Sequence, residues 1–105
     1  MNLLHDLPED LQEEHFTTLL KTEHITLERI ISKGHITPEN EWYDQDHDEW
    51  VLLLAGSAQL TFGDGEVLTL KQGDQLIIPA HRRHRVSKTA TNQETIWLAL
   101  HYSTT

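Results

Sequence analysis

Between Ile25 and Tyr102 the chain breaks into short runs rich in Ile, Val, Leu, Thr and Trp, each cut off by Gly, Pro, Asn or Asp. Runs of this length and composition read as strands, and many of them in series with little helical periodicity predict an antiparallel sandwich or barrel. The expected strands are 25–32, 41–45, 50–54, 58–62, 66–70, 75–78, 84–88 and 95–102. Their separators carry a mechanism. Gly63-Asp64-Gly65 is a tight hairpin, and Gln72-Gly73-Asp74 is a turn in which glycine supplies positive φ.

The run Trp50-Val51-Leu52-Leu53-Leu54 is apolar at every position. Alternate side chains of a strand point to opposite faces, so one set fills the barrel and the other needs a separate cover. Two sources of cover are available. Leu7-Pro8-Glu9-Asp10 reads as a helix start, with Leu11, Phe16, Leu19 and Leu20 on one side of the turns that follow. A helical segment is therefore expected within residues 1–23, packed on a barrel formed by 24–105 as one domain. A second copy of the chain is the other source, and a homodimer is expected.

Bulk charge narrows the partners. Seventeen acidic residues against eight basic ones give a net charge of −9, which repels phosphate backbones and anionic lipid. Nucleic acid and membrane surfaces are not expected partners. Arg82, Arg83 and Arg85 form the one basic cluster, enough for a small anion. With no cysteine there is neither a disulfide nor a thiolate metal site. No run approaches the roughly twenty apolar residues that span a bilayer, and no basic-then-apolar leader is seen, so a cytoplasmic location is expected.

Two polar clusters flank apolar strands. Tyr43, Gln45, His47 and Glu49 precede the first, and His81 and His84 lie in the second, Ile-Pro-Ala-His-Arg-Arg-His-Arg-Val. Glu49 followed by Gly56, then Gly73, Pro79 and His84, resembles the two sequence motifs of the cupin superfamily, and the likeness runs from about Ile25 to His101. It implies a jelly-roll β-barrel, here all-β with a short N-terminal helix, in which Glu49 and His84 face one cavity. A complete site in that family uses two further histidines around a divalent metal. Tyr43 and Gln45 stand at those positions here, His81 stands where glycine is frequent, and Lys88 where asparagine is. The resemblance implies a metal set of Gln45, Glu49 and His84, with Mn, Fe, Ni or Zn suited to such oxygen and nitrogen donors.

Three functions follow. The first is a small-molecule-binding barrel that holds a divalent metal; as an enzyme it would be of oxygenase or isomerase type, with Tyr43 or Glu49 managing a proton. The second is a metal-free binding or sensing domain whose pocket is Tyr43, Gln45, Glu49 and His84. The third is a dimeric structural module. His47 and His81 read as loop residues in solvent, and His5, His15, His24 and His35 as surface residues. His101 shares parity with Trp97 and Ala99, opposite the aliphatic set Ile96, Leu98 and Leu100, and its direction stays open. Nucleophilic catalysis lacks a cysteine or a Gly-flanked serine elbow, and no glycine loop is built to cradle phosphate.

Overall fold

In the run that carries Glu49, burial alternates: Glu49, Val51 and Leu53 are buried, while Trp50, Leu52 and Leu54 are half-buried. One face therefore belongs to an interior and the other to a partly covered exterior. The protein, described here for residues 1–103 of a computed structural model, forms two antiparallel sheets around that interior. The strands among the described residues are β1 (His15–Lys21), β2 (Ile25–Ser32), β3 (Asp48–Ala55), β4 (Ser57–Phe62), β5 (Val67–Lys71), β6 (Gln75–Ile78), β7 (His84–Thr89) and β8 (Thr95–Tyr102). The larger sheet has the order β1-β2-β8-β3-β6 and the smaller β5-β4-β7. After β3 the chain passes from sheet to sheet in the manner of a jelly roll.

Register decides what enters the interior. Glu49 pairs with His101, Val51 with Ala99 and Leu53 with Trp97, so β3 and β8 send matched rows inward. Trp97 and Ala99 join Leu53, Leu60, Phe62 and Ile78 in the buried core. The small side chain of Ala99 beside Val51 leaves space above the aliphatic layer, and that space becomes the cavity described below. Both expected turns are present. Phe62 N–H donates to Glu66 O at 2.8 Å across the Gly63-Asp64-Gly65 hairpin. At the second turn Lys71 N–H donates to the Asp74 carboxylate at 2.8 Å.

The N-terminal helix expected within residues 1–23 is not formed; among the described residues there is no helix. His15–Lys21 is instead an edge strand on β2, with a bulge between Thr18 and Leu20. Two physical causes outweigh the helical spacing of the leucines. The edge of β2 presents unpaired backbone groups that a strand satisfies, and Thr17-Thr18 favours the extended state. The residues before β1 run as an irregular strap over the outer face, where Arg29 Nη1 donates to Leu3 O at 3.3 Å. His35 fastens the strap's end, since it accepts from Lys33 N–H at 2.8 Å and donates Nε2–H to Gln12 O at 3.1 Å. A second expectation also fails. Residues 41–45 are not a strand but a loop that touches β7 through a single antiparallel bridge, Tyr43 with His84.

Gly56, at the crossing from β3 to β4, has φ +87°, and a Cβ there would stand 2.6 Å from Thr95 Cα. Gly73 has φ +91° with open space around it. Gly56→Ala therefore adds a backbone clash to left-handed strain and is expected to cost ~2 kcal/mol or more. Gly73→Ala incurs the strain alone, ~1 kcal/mol. Denaturant midpoints of the two variants should differ in that order.

Candidate functional site

The inward row of the larger sheet turns polar toward one end of the barrel. On β2, Ile30 gives way to Glu28; on β3, Val51 gives way to Glu49; on β8, Ala99 gives way to His101. From the smaller sheet His84 opens β7, and the 41–45 loop brings Tyr43 and Gln45 across the mouth. Together these residues line a cavity of about 100 Å³ whose deeper walls include Leu60, Ile78 and Val86. That volume holds several waters or a molecule of a few heavy atoms.

Glu49 is 7% exposed and His84 5%. Their facing atoms, Glu49 Oε1 and His84 Nε2, lie 3.7 Å apart. His84 Nδ1–H donates to the Arg82 carbonyl at 2.8 Å, which leaves a lone pair on Nε2 in the neutral ring. Glu49 Oε1 is buried and has no hydrogen-bond partner among the described residues. With the ring neutral, two acceptors face each other with no donor between them. The ring of His84 is held by stacking on Tyr43, with centroids 5.5 Å apart, and by Phe62 at 6.4 Å.

On the other side of the cavity His101 Nε2–H donates to Glu28 Oε1 at 3.0 Å and lies 3.9 Å from Glu49 Oε2. Its Nδ1 is 3.0 Å from His47 Nε2, and His47 Nδ1 is 3.2 Å from Asp46 Oδ1. With His101 protonated, every contact in this row has a donor and an acceptor. The hydrogen bond to Glu28 is the main reason its pKa rises above the ordinary 6.5, against the opposing effect of burial; the charges of Glu49 and Glu28 add to the rise. Tyr43 is also raised, first by burial and then by the charge of Glu14, so its hydroxyl stays a donor at neutral pH.

The backbone that places these groups is pinned at few points. Tyr43 N–H donates to His84 O at 2.8 Å, His84 N–H returns to Tyr43 O at 3.1 Å, and His81 N–H donates to Gln45 O at 2.7 Å. His81 adopts φ 66°. That conformation explains why glycine suits this place; here the imidazole partly offsets the strain through a 2.9 Å contact with Asp44.

Of the residues singled out in the sequence, Tyr43, Gln45, Glu49 and His84 all line the one cavity. No group of three or more His, Asp or Glu side chains among the described residues is arranged to hold a metal ion. His47 is a partly exposed loop residue that also contacts His101. Trp97 and His101 point inward, and the aliphatic set Ile96, Leu98 and Leu100 packs outward. Glu28 was missed altogether; it sits mid-strand, and its sequence signal was the inward parity it shares with Ile30. The basic cluster faces elsewhere: Arg82 pairs with Glu66 at 2.8 Å and lies over Phe62, while Arg83 and Arg85 lie over Trp42.

A two-sheet jelly roll with a polar cavity at one end, built from an inward Glu on β3 and a His opening β7, defines a class of small barrels. The chain belongs to the cupin family, whose cupin domain profile matches residues 28–101. A crystal structure from Ralstonia eutropha, provisionally named a mannose-6-phosphate isomerase, is 41% identical over 98% of this chain and 96% of that one, with a TM-score of 0.92. A cupin superfamily protein from Desulfitobacterium hafniense is 18% identical over 91% of this chain and 83% of that one, with a TM-score of 0.76. A conserved Streptococcus pyogenes protein of unknown function is 17% identical over 100% of this chain and 87% of that one, at 0.79. The latter two share the fold alone. Comparison with curated proteins finds no match.

The raised pKa of His101 sets a pH dependence. Its pairing with Glu28 stabilises the fold fully below the ordinary histidine value and is lost as pH rises through the raised one. In an NMR titration of the imidazole resonances, His101 should titrate above free histidine, and Glu28→Gln should lower its midpoint.

Proposed function

We propose that the barrel binds a small polar molecule through Tyr43, Gln45, Glu49 and His84. The observation that carries this reading is Glu49 Oε1, buried without a hydrogen-bond partner among the described residues and 3.7 Å from His84 Nε2. An unsatisfied buried acceptor costs on the order of 1–3 kcal/mol, and a ligand that donates there recovers it. Tyr43 adds a hydroxyl donor at the mouth. The Gln45 amide, also on the lining, offers both a donor and an acceptor.

The isomerase designation of the Ralstonia protein bears on this chain only in part. A sugar phosphate needs cationic partners, and no Lys or Arg lines the cavity. Neutral or cationic molecules suit its carboxylates better. A second reading, a bound divalent ion of the Mn, Fe, Ni or Zn kind, rests on the same facing pair with the Gln45 amide oxygen as third donor. The donor set fits such an ion loosely, since Tyr43 and Gln45 replace stronger ligands. A bound ion would polarise a carbonyl as a Lewis acid; Glu49 and His84 would hold it, and Tyr43 would orient the substrate by its hydroxyl.

Calorimetry and thermal shift against a library of small polar compounds test the first reading. A ligand should appear, and Tyr43→Phe or Gln45→Ala should each weaken it about fivefold, the worth of one hydrogen bond of ~1 kcal/mol. The metal reading predicts stoichiometric metal in protein purified without an affinity tag, lost in Glu49→Gln and His84→Ala. It fails if none is retained when each ion is offered.

We also propose that the chain forms a homodimer through the outer face of the larger sheet. Leu52, Leu98 and Leu100 stay half-buried there and Ile77 is 56% exposed. Sedimentation at micromolar concentration should show a dimer that Leu98→Lys shifts toward monomer.

A further inference from the structure

We infer that the ligand of this cavity is a primary or secondary organic ammonium, with its nitrogen between Glu49 and His84 and its carbon skeleton directed to the groove outside Tyr43. The inference rests on the small-molecule reading above and names its substrate class.

The facing acceptors decide the head group. Glu49 Oε1 and His84 Nε2 stand 3.7 Å apart, and the only hydrogen on the His84 ring nitrogens in its neutral form is engaged by the Arg82 carbonyl. A single atom that satisfies both must carry two hydrogens. An alcohol has one, and a quaternary ammonium has none. Water and a neutral primary amide have two, as a protonated primary or secondary amine does at the least, and of these the ammonium alone brings the positive charge.

Charge and aromatic lining favour the same class. Glu14, Glu28 and Glu49 line the cavity, and no Lys or Arg does. His101 offsets one of these carboxylates through its bond to Glu28, so the wall keeps an excess of negative charge. Phe16, Tyr43 and Trp97 supply ring surface, and aromatic faces attract cations, most strongly where water is thin. An anion meets the opposite conditions inside the cavity, since Arg82 is turned to Glu66 and Phe62 and the other two arginines lie over Trp42 on the outer groove.

The skeleton has somewhere to go. Glu14 and Tyr43 border both the cavity and an outer groove of about 390 Å³, whose other walls are mixed: Ile36, Pro38 and Trp42 with Thr37 and Glu41. The ammonium meets the few polar groups of the cavity, and an alkyl or aromatic skeleton can lie along Ile36, Pro38 and Trp42 in the groove.

The test is calorimetry on the full chain after treatment with chelator, using ethylamine, butylamine, phenethylamine, 2-phenylethanol, phenethyltrimethylammonium, phenylacetate and mannose 6-phosphate. Phenethylamine should bind at least about tenfold more tightly than 2-phenylethanol and than the trimethylated cation, as charge-assisted hydrogen bonds outweigh neutral ones. Phenylacetate and mannose 6-phosphate should not bind. Glu49→Gln should remove the preference for the amine, and Glu14→Gln, at the mouth, should weaken it by about two- to threefold; a thermal melt of each variant checks that it is folded. Equal or tighter binding of the alcohol, the quaternary cation or either anion overturns the inference, as does the absence of binding by every amine at millimolar concentration. If no amine binds and a neutral polar compound does, the small-molecule reading stands alone. If no compound of any class binds, both fall.

Discussion

The pairing of β3 with β8 is the constraint on which the rest of the molecule depends. Because Leu53 faces Trp97, Val51 faces Ala99 and Glu49 faces His101, a shift of one residue would move every one of these side chains to the outer face. The aliphatic and aromatic pairs specify the register through burial. Glu49 and His101 are then delivered to the interior by the same register, although neither would choose an apolar environment alone.

Polar groups placed in this way must find partners or pay a desolvation cost. On the His101 side they do so within the protein, through Glu28, His47 and Asp46 in sequence. On the Glu49–His84 side they do not: Glu49 Oε1 is buried without a hydrogen-bond partner among the described residues. Saturation on one wall and want on the other give the cavity a direction.

Much of this was legible before any coordinates. The strands from Ile25 onward, apart from 41–45, and both glycine turns follow from period-two patterning and turn residues, and the meeting of Glu49 with His84 follows from the resemblance of their motifs to those of the cupin superfamily. What failed, failed where local signals competed with distant partners. The leucines after Pro8 have helical spacing, yet the open edge of β2 recruits them as a strand. Tyr43 and Gln45 share parity with Glu49, yet their backbone is a loop, and their inward direction comes from the bridge to β7. For Trp97 and His101 parity alone gave two answers; the choice belongs to β3, whose polar and aliphatic sequence matches one face of β8. Glu28 stayed hidden because a lone acid within a strand ordinarily faces water.

The reciprocal backbone bonds between Tyr43 and His84 give the inner site its own tie to β7. Residues 35–42 form most of the outer groove and touch β7 at two points of their own, Thr37 N–H to Val86 O at 2.8 Å and the Thr89 hydroxyl to His35 O at 2.7 Å, with Pro38 to Trp42 between these ties and Tyr43. Insertions or exchanges there would remodel the rim while the floor kept its geometry. A barrel of this kind can diversify in what it admits and still conserve how it grips.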